Sequence, residues 1–410
     1  MAYDTRRGYL LKLDFLHAVS VGNAWFGRRQ MTAAEINAAY GAMVLSGQEL
    51  AQLRPMVDLF CLPEACLISD VIQHFVDRGM PFHPGYVYQD VKSAVGYLHE
   101  SGVLHNAIAA EPGRFIEDSP NVVQLLRTLR ASGRKTFLLT NSGFKFVNNG
   151  MNQITRGPLA APDEWLSLFD LVCVGADKPS WYKDDRPFRS LNAASGKVRW
   201  VPIEALLPGH VYYGGSFAEL NRLTGGGFQG QHVLYLGDHV FSDLSKPSRI
   251  GWRTGAIIHE LEREVSLQMS PEYRALLATL METERQLRRE QERKAAGVAG
   301  GGAAWRMADL RSERERVRRM HCAPVFFRLT CPAGLTPCAQ VREELKVIFN
   351  RNFGSVFRTH SGPTLFTQSI LRYSDIYTSH VENLLSLSAD HYLYPTRRSL
   401  PHEPHHPFLA

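Results

Sequence analysis

Between about residue 120 and residue 258 the chain alternates helix-like stretches with short, unbroken apolar runs, and this restricts the fold more than any other feature. Val122 to Leu129 reads as a helix ending near Gly133, and the apolar run Thr136 to Leu139 follows at once. Trp165 to Phe169 lead into Leu171-Val172-Cys173-Val174. Phe217 to Leu223 precede Val233-Leu234-Tyr235-Leu236, and Thr254 to Ile258 come last. Continuous apolar strands between helices are what a parallel sheet covered on both faces requires, because such strands are buried on both sides. The expected class is therefore α/β.

The rest of the chain has a different texture. Residues 1–110 hold stretches with apolar spacing of three and four, such as Val91, Val95 and Leu98 before Gly102, and read as helical. A charged helix from Pro271 to Ala296 leads to a Gly/Ala break from Gly297 to Ala304, and a second charged stretch ends near Met320. Residues 321–340 hold three cysteines and three prolines without a period, and a last helical region is expected from Val341 to Leu387. The histidines of the tail, His402 to His406, read as part of a disordered end.

Bulk properties exclude several classes. An apolar content of 44% with 21% charged residues suits a soluble globular chain. No run approaches the roughly 18 apolar residues of a membrane span. Lys12 and Asp14 interrupt the first apolar stretch, so no secretory segment is read and a cytoplasmic location is expected. The net charge of +6 does not form a basic patch: much of it lies between Arg285 and Arg319, interleaved with Glu, which is the pattern of a solvated helix rather than of a nucleic-acid surface.

The polar residues that close three of the apolar runs carry the chemistry. Phe137-Leu138-Leu139-Thr140-Asn141-Ser142 places hydroxyl and amide groups at one strand exit. Val174-Gly175-Ala176-Asp177-Lys178-Pro179 places a lysine at the next. Leu236-Gly237-Asp238-His239-Val240-Phe241-Ser242-Asp243 places two carboxylates at the third. Ligands of open parallel sheets sit at the carboxyl ends of the strands. A hydroxyl, a cation and paired carboxylates are the groups that Mg2+-assisted phosphoryl transfer needs: donors for phosphate oxygens, a positive charge for the transition state, and oxygen ligands for a hard cation.

With these motifs and with Tyr212-Tyr-Gly-Gly-Ser216, Gly251-Trp-Arg-Thr254, Phe353-Gly-Ser-Val-Phe-Arg-Thr359 and Arg372-Tyr-Ser-Asp-Ile-Tyr377, the chain resembles the 5′-nucleotidase domain-containing proteins. These form a branch of the haloacid dehalogenase superfamily that includes the cytosolic purine 5′-nucleotidase. The resemblance implies a Rossmann-like parallel sheet with a helical cap and a helical C-terminal extension. The implied division is a cap-like helical region over 1–115, a core over 116–265, a charged segment with its linker over 266–320, an irregular insertion over 321–340, C-terminal helices returning to the core over 341–390, and a tail over 391–410. It implies Mg2+-dependent hydrolysis of nucleoside 5′-monophosphates or related phosphate esters. Asp238 and Asp243 would hold the metal, Lys178 would offset phosphate charge, and Thr140, Asn141, Ser142 and His99 would contact substrate. Family members associate, which leaves a homo-oligomer open.

The sequence departs from the family pattern in two places. The family's nucleophile lies in a DxDxT motif at the end of a first strand, and no strand followed by DxDxT occurs here: Asp14 stands alone, and Asp184-Asp185 have the wrong spacing. The expectation is that this first catalytic strand is missing, or that the sequence is an incomplete version of a longer chain. Without the nucleophile no aspartyl-phosphate forms, so the chain as given is expected to be inactive with weak Mg2+ binding. The alternative is a non-catalytic relative that binds phosphate-bearing ligands or protein partners. The lost strand would lie between those ending at Thr140 and at Asp238, which either leave open edges or pair directly. In the second departure, Lys92 and Gly96 stand where the purine enzyme has an arginine and an aspartate, so purine preference is not implied.

Overall fold

The computed structural model describes residues 1–41, 44–295, 337–359, 362–388 and 390–392. The chain divides into two compact units, one of Met1–Asn106 with His259–Arg372, the other of Ala107–Ile258 with Tyr373–Ala410. The expected Gly/Ala break, the second charged stretch, most of the irregular insertion and the histidine tail lie outside the described residues.

The first unit opens with a sheet, not with helices. Strands β1 (Ala2–Asp4), β2 (Tyr9–Leu13), β3 (Val19–Phe26), β4 (Arg29–Gln30) and β5 (Leu53–Pro55) form an antiparallel sheet in the order β4-β3-β2-β1-β5. Asp4 closes the first hairpin: its buried carboxylate accepts from the backbone N–H of Arg6 and Arg7 at 2.9 and 3.1 Å and from the Tyr40 hydroxyl at 2.8 Å. The helix-like spacing is realised further on, in helices Cys61–Asp77 and Pro84–Glu100. Val87 and Val91 of the second pack with Ile68 and Ile72 of the first against Tyr3, Leu10 and Trp25 of the sheet. Lys12 sits inside β2 because its ammonium donates to the carbonyls of Phe353, Ser355 and Arg358, which offsets much of the cost of burying it.

The second unit contains the alternation that the sequence announces. Strands β6 (Phe137–Leu139), β7 (Leu171–Val174), β8 (Phe188–Leu191) and β9 (Val211–Gly214) form a sheet in the order β6-β7-β9-β8, parallel except for β8. Strands β10 (Leu234–Gly237), β11 (Arg253–Ile257) and β12 (Ile376–Thr378) form a separate parallel sheet. β7 is buried on both faces: Leu171 and Cys173 face a core with Trp181, Tyr212 and Trp252, whereas Val172 and Val174 face one with Val123, Phe144 and Trp165. That arrangement is why its four residues are apolar without interruption. The last region is not helical throughout. Helices Pro337–Phe349 and Leu365–Tyr373 are followed by β12, drawn to β11 by Asp375, which accepts from the Thr254 N–H at 2.9 Å and from Arg253 at 2.8 Å. Among the described residues no helix is long and apolar enough to cross a membrane.

β6 and β10 are each the end strand of their sheet and do not pair through their backbones. Side chains join them instead. The Phe137 ring stacks on Tyr235, centroids 6.0 Å apart, and the Tyr235 hydroxyl donates to the Leu139 carbonyl at 3.2 Å.

Candidate active site

The polar ends of β6 and β7 lock into each other. The Ala176 N–H donates to the Thr140 carbonyl and the Gly175 N–H to the Ser142 carbonyl, both at 3.0 Å. Asn141 spends its side-chain amide on Lys178, accepting from its N–H at 2.6 Å and donating to its carbonyl at 2.9 Å. Asp177, just before, takes a left-handed backbone with φ of 63°, a conformation that Asp tolerates better than most residues, and the Lys178–Pro179 peptide is cis. This clasp turns the lysine side chain back over the sheet. Its ammonium donates to the Leu139 carbonyl at 3.1 Å, the Tyr235 hydroxyl at 2.8 Å and Asp243 Oδ1 at 2.6 Å. Thr140 Oγ1 accepts from the Ser142 N–H at 3.1 Å, and its own hydrogen remains available to a ligand oxygen.

The third strand end supplies the carboxylates. After Gly237 and Asp238 the chain makes a π-helical turn over Val240–Ser245, which carries Asp243 back beneath the end of β10. The Asp243 N–H donates to the His239 carbonyl at 2.9 Å, and Asp243 Oδ2 accepts from the His239 N–H at 3.3 Å. Gly237 is required by this return: a Cβ there would lie 2.4 Å from Asp243 Cβ. Asp243 is buried, and its ion pair with Lys178 is almost closed to solvent, the two side chains being 8% and 9% exposed. Burial, then the nearby Tyr182 and the Asp243 charge, push the Tyr235 hydroxyl far above its ordinary value, so it stays a donor. Burial of its carboxyl, then the Asp243 charge, raise the Asp238 pKa, although the residue as a whole is exposed and solvent screens both effects.

The structure thus brings Thr140, Asn141, Ser142, Lys178, Asp238 and Asp243 to the carboxyl ends of three strands of one unit. His99 lies in the other unit, on helix Pro84–Glu100, with its ring 6.2 Å from that of His105. Lys92, on the same helix, pairs with the buried Glu64 at 3.0 Å. Sequence reasoning missed Tyr235, which binds the site lysine and caps a β6 carbonyl. The available signal was a tyrosine in the middle of an otherwise aliphatic strand, since a buried hydroxyl needs a partner.

The profile of the 5′ nucleotidase family matches residues 1–405. The chain belongs to the 5′ nucleotidase family. It is 37% identical over 404 residues to a 5′-nucleotidase domain-containing protein of Dictyostelium discoideum, a match that takes in 98% of this chain and 63% of that protein. It is 33% identical over 411 residues to 5′-nucleotidase domain-containing protein 2 of Homo sapiens and of Rattus norvegicus, covering 72% and 68% of those proteins. This 5′ nucleotidase relative therefore spans less than two thirds of the Dictyostelium protein's length and about 70% of the two mammalian ones.

Proposed function

We propose that the unit containing Ala107–Ile258 is a 5′-nucleotidase-type phosphate-ester site of haloacid-dehalogenase architecture, and that this chain holds its charge-stabilising part without its nucleophile. The observation that carries the reading is the Lys178 ammonium, fixed where three strand ends meet by the Leu139 carbonyl, the Tyr235 hydroxyl and Asp243. In that role Thr140 donates to a phosphate oxygen, Ser142 adds a further polar contact, Asn141 holds the lysine backbone, and Lys178 offsets the charge that builds on the phosphoryl group. The substrate class is a nucleoside 5′-monophosphate or a related phosphate ester.

Asp238 and Asp243 suit Mg2+ in kind, since both offer oxygen and the Asp243 charge, after burial, raises the Asp238 pKa, a repulsion that a cation relieves. They suit it weakly in strength, because Asp243 Oδ1 is already engaged by Lys178 at 2.6 Å. When bound, Mg2+ would neutralise phosphate charge. No DxDxT motif occurs in the sequence, so the motif that carries the family's nucleophile has no counterpart among these residues. β6 and β10 are end strands of separate sheets, joined by side chains rather than by a backbone ladder, which supports the reading that a further strand belongs between them.

The test is a phosphatase assay on the 410-residue chain with p-nitrophenyl phosphate and nucleoside 5′-monophosphates, with and without Mg2+. Phosphate binding that Thr140→Ala weakens, with no turnover above background, is the expected result. Mg2+-dependent turnover that Asp238→Asn abolishes would show that another group replaces the nucleophile. Absence of phosphate binding by a folded sample would refute the site itself and favour a protein-interaction role.

A further inference from the structure

The first unit contains a cavity of about 290 Å3, partly open to solvent, lined from strands β2 and β3, helices Glu260–Met269, Pro271–Ala295 and Pro337–Phe349, and the segment Phe353–Thr359. All of its lining residues belong to that unit, so it is distinct from the strand-end site. Its volume is at the lower end of the range for small-molecule pockets.

Two features of the wall call for a ligand. The first is charge. Lys12, Arg342, Lys346 and Arg358 line the cavity against only two carboxylates, Glu264 and Glu343. Lys12 is spent on three carbonyls, and Arg342 on Glu284 at 2.5 Å. Lys346 donates to the Gly22 carbonyl at 3.0 Å and to Glu343 at 3.2 Å, which leaves it a third hydrogen. Arg358 is exposed and forms no ion pair among the described residues, although its charge acts on Glu264 of the same wall. The second feature is Asn23. It lines the cavity, is 6% exposed, and its Oδ1 accepts no hydrogen bond among the described residues. A buried carbonyl oxygen left so costs about 1–3 kcal/mol unless a donor reaches it. Tyr273, Leu277, Leu280 and Phe349 are among the residues that make the rest of the wall apolar.

We propose that this cavity binds a small organic anion, a phosphate or carboxylate that also carries a hydroxyl or amine hydrogen. The anionic group pairs with Arg358 and Lys346, and the donor hydrogen is accepted by Asn23 Oδ1. The carbon skeleton lies against Phe349, Leu277 and Leu280.

Isothermal titration of the full chain with glycerol 3-phosphate and with glycerate, and with glycerol as the uncharged control, tests this. At least one charged probe binds and glycerol does not. Arg358→Glu, a change of an exposed side chain, weakens that binding by at least about tenfold, or 1.4 kcal/mol. Asn23→Leu weakens it as well, and Thr140→Ala in the other unit leaves it within about twofold. Failure of both charged probes to bind overturns the proposal. So does binding that survives Arg358→Glu. Binding lost in Thr140→Ala would place the anion at the strand-end site instead.

Discussion

Replacing Lys178 by methionine isolates what holds the end strands β6 and β10 side by side. The substitution keeps an unbranched side chain one atom shorter and removes three donated hydrogen bonds, to the Leu139 carbonyl, the Tyr235 hydroxyl and Asp243. Its largest effect is on Asp243, whose carboxylate is left 8% exposed without its cation. Breaking a buried pair by removing one partner costs about 3–5 kcal/mol. The lower end applies, because the His239 N–H at 3.3 Å and the Tyr235 hydroxyl at 3.4 Å still reach Asp243. Since the chain has two units, hydrogen exchange read on peptides over Phe137–Leu139 and Leu234–Gly237 is a cleaner measure than a global melt. About 3 kcal/mol lowers their protection by roughly a hundredfold. Lys178→Met with Asp243→Asn should recover most of this, since no buried charge then lacks a partner, and the coupling should be about 2 kcal/mol or more. A single variant that loses less than about tenfold, or a double variant as poor as the sum of the two single ones, would refute the reasoning.

Three further outcomes follow from the geometry. Gly237→Ala forces a methyl against Asp243 Cβ and should cost about 1–3 kcal/mol, seen as faster exchange at the end of β10. Asp375→Ala removes the acceptor of the Thr254 N–H and of the half-exposed Arg253, so β12 should loosen from β11 by about 1 kcal/mol, seen as faster exchange over Arg253–Ile257. The Lys12 pKa is pushed down to about 7 by burial, then by the charge of Lys346, and against the pull of Glu264. The unfolded chain therefore binds more protons than the folded one between about pH 7 and the ordinary lysine value, and stability rises with pH across that window. Urea denaturation at pH 7 and pH 9 should show a rise of about 2 kcal/mol in the wild type that Lys12→Met lacks.

How far the fold was legible depended on whether local pattern and tertiary context agreed. The β7 residues Leu171 to Val174 were read correctly because burial on both faces leaves an unbroken apolar run. The sheet over residues 2–55 was not, because its strands carry polar residues whose partners are remote in sequence. Lys12 interrupts β2, and only acceptors 341 to 346 residues away make its burial tolerable. β12 was hidden for the same reason: three residues form a strand because Ser374 and Asp375 bond to the β11 backbone. At the site, the residue types and strand ends were legible, but the pairing was not. Asp238 and Asp243 read alike, yet the π-helical turn sends Asp243 to Lys178 and leaves Asp238 exposed.

That pairing also separates structural from catalytic meaning at the site. A lysine bonded to a strand carbonyl, a tyrosine and an aspartate would be kept by a protein that never meets phosphate, because it closes a seam between two sheets. Thr140 has no such duty: its hydroxyl accepts one local bond and its hydrogen remains available to a ligand. Loss of stability on changing Lys178 therefore says little about function, whereas loss of phosphate binding on changing Thr140, with stability kept, speaks for the nucleotidase-type site directly. The two substitutions report on different links of the same chain of reasoning, and only the second reaches its last one.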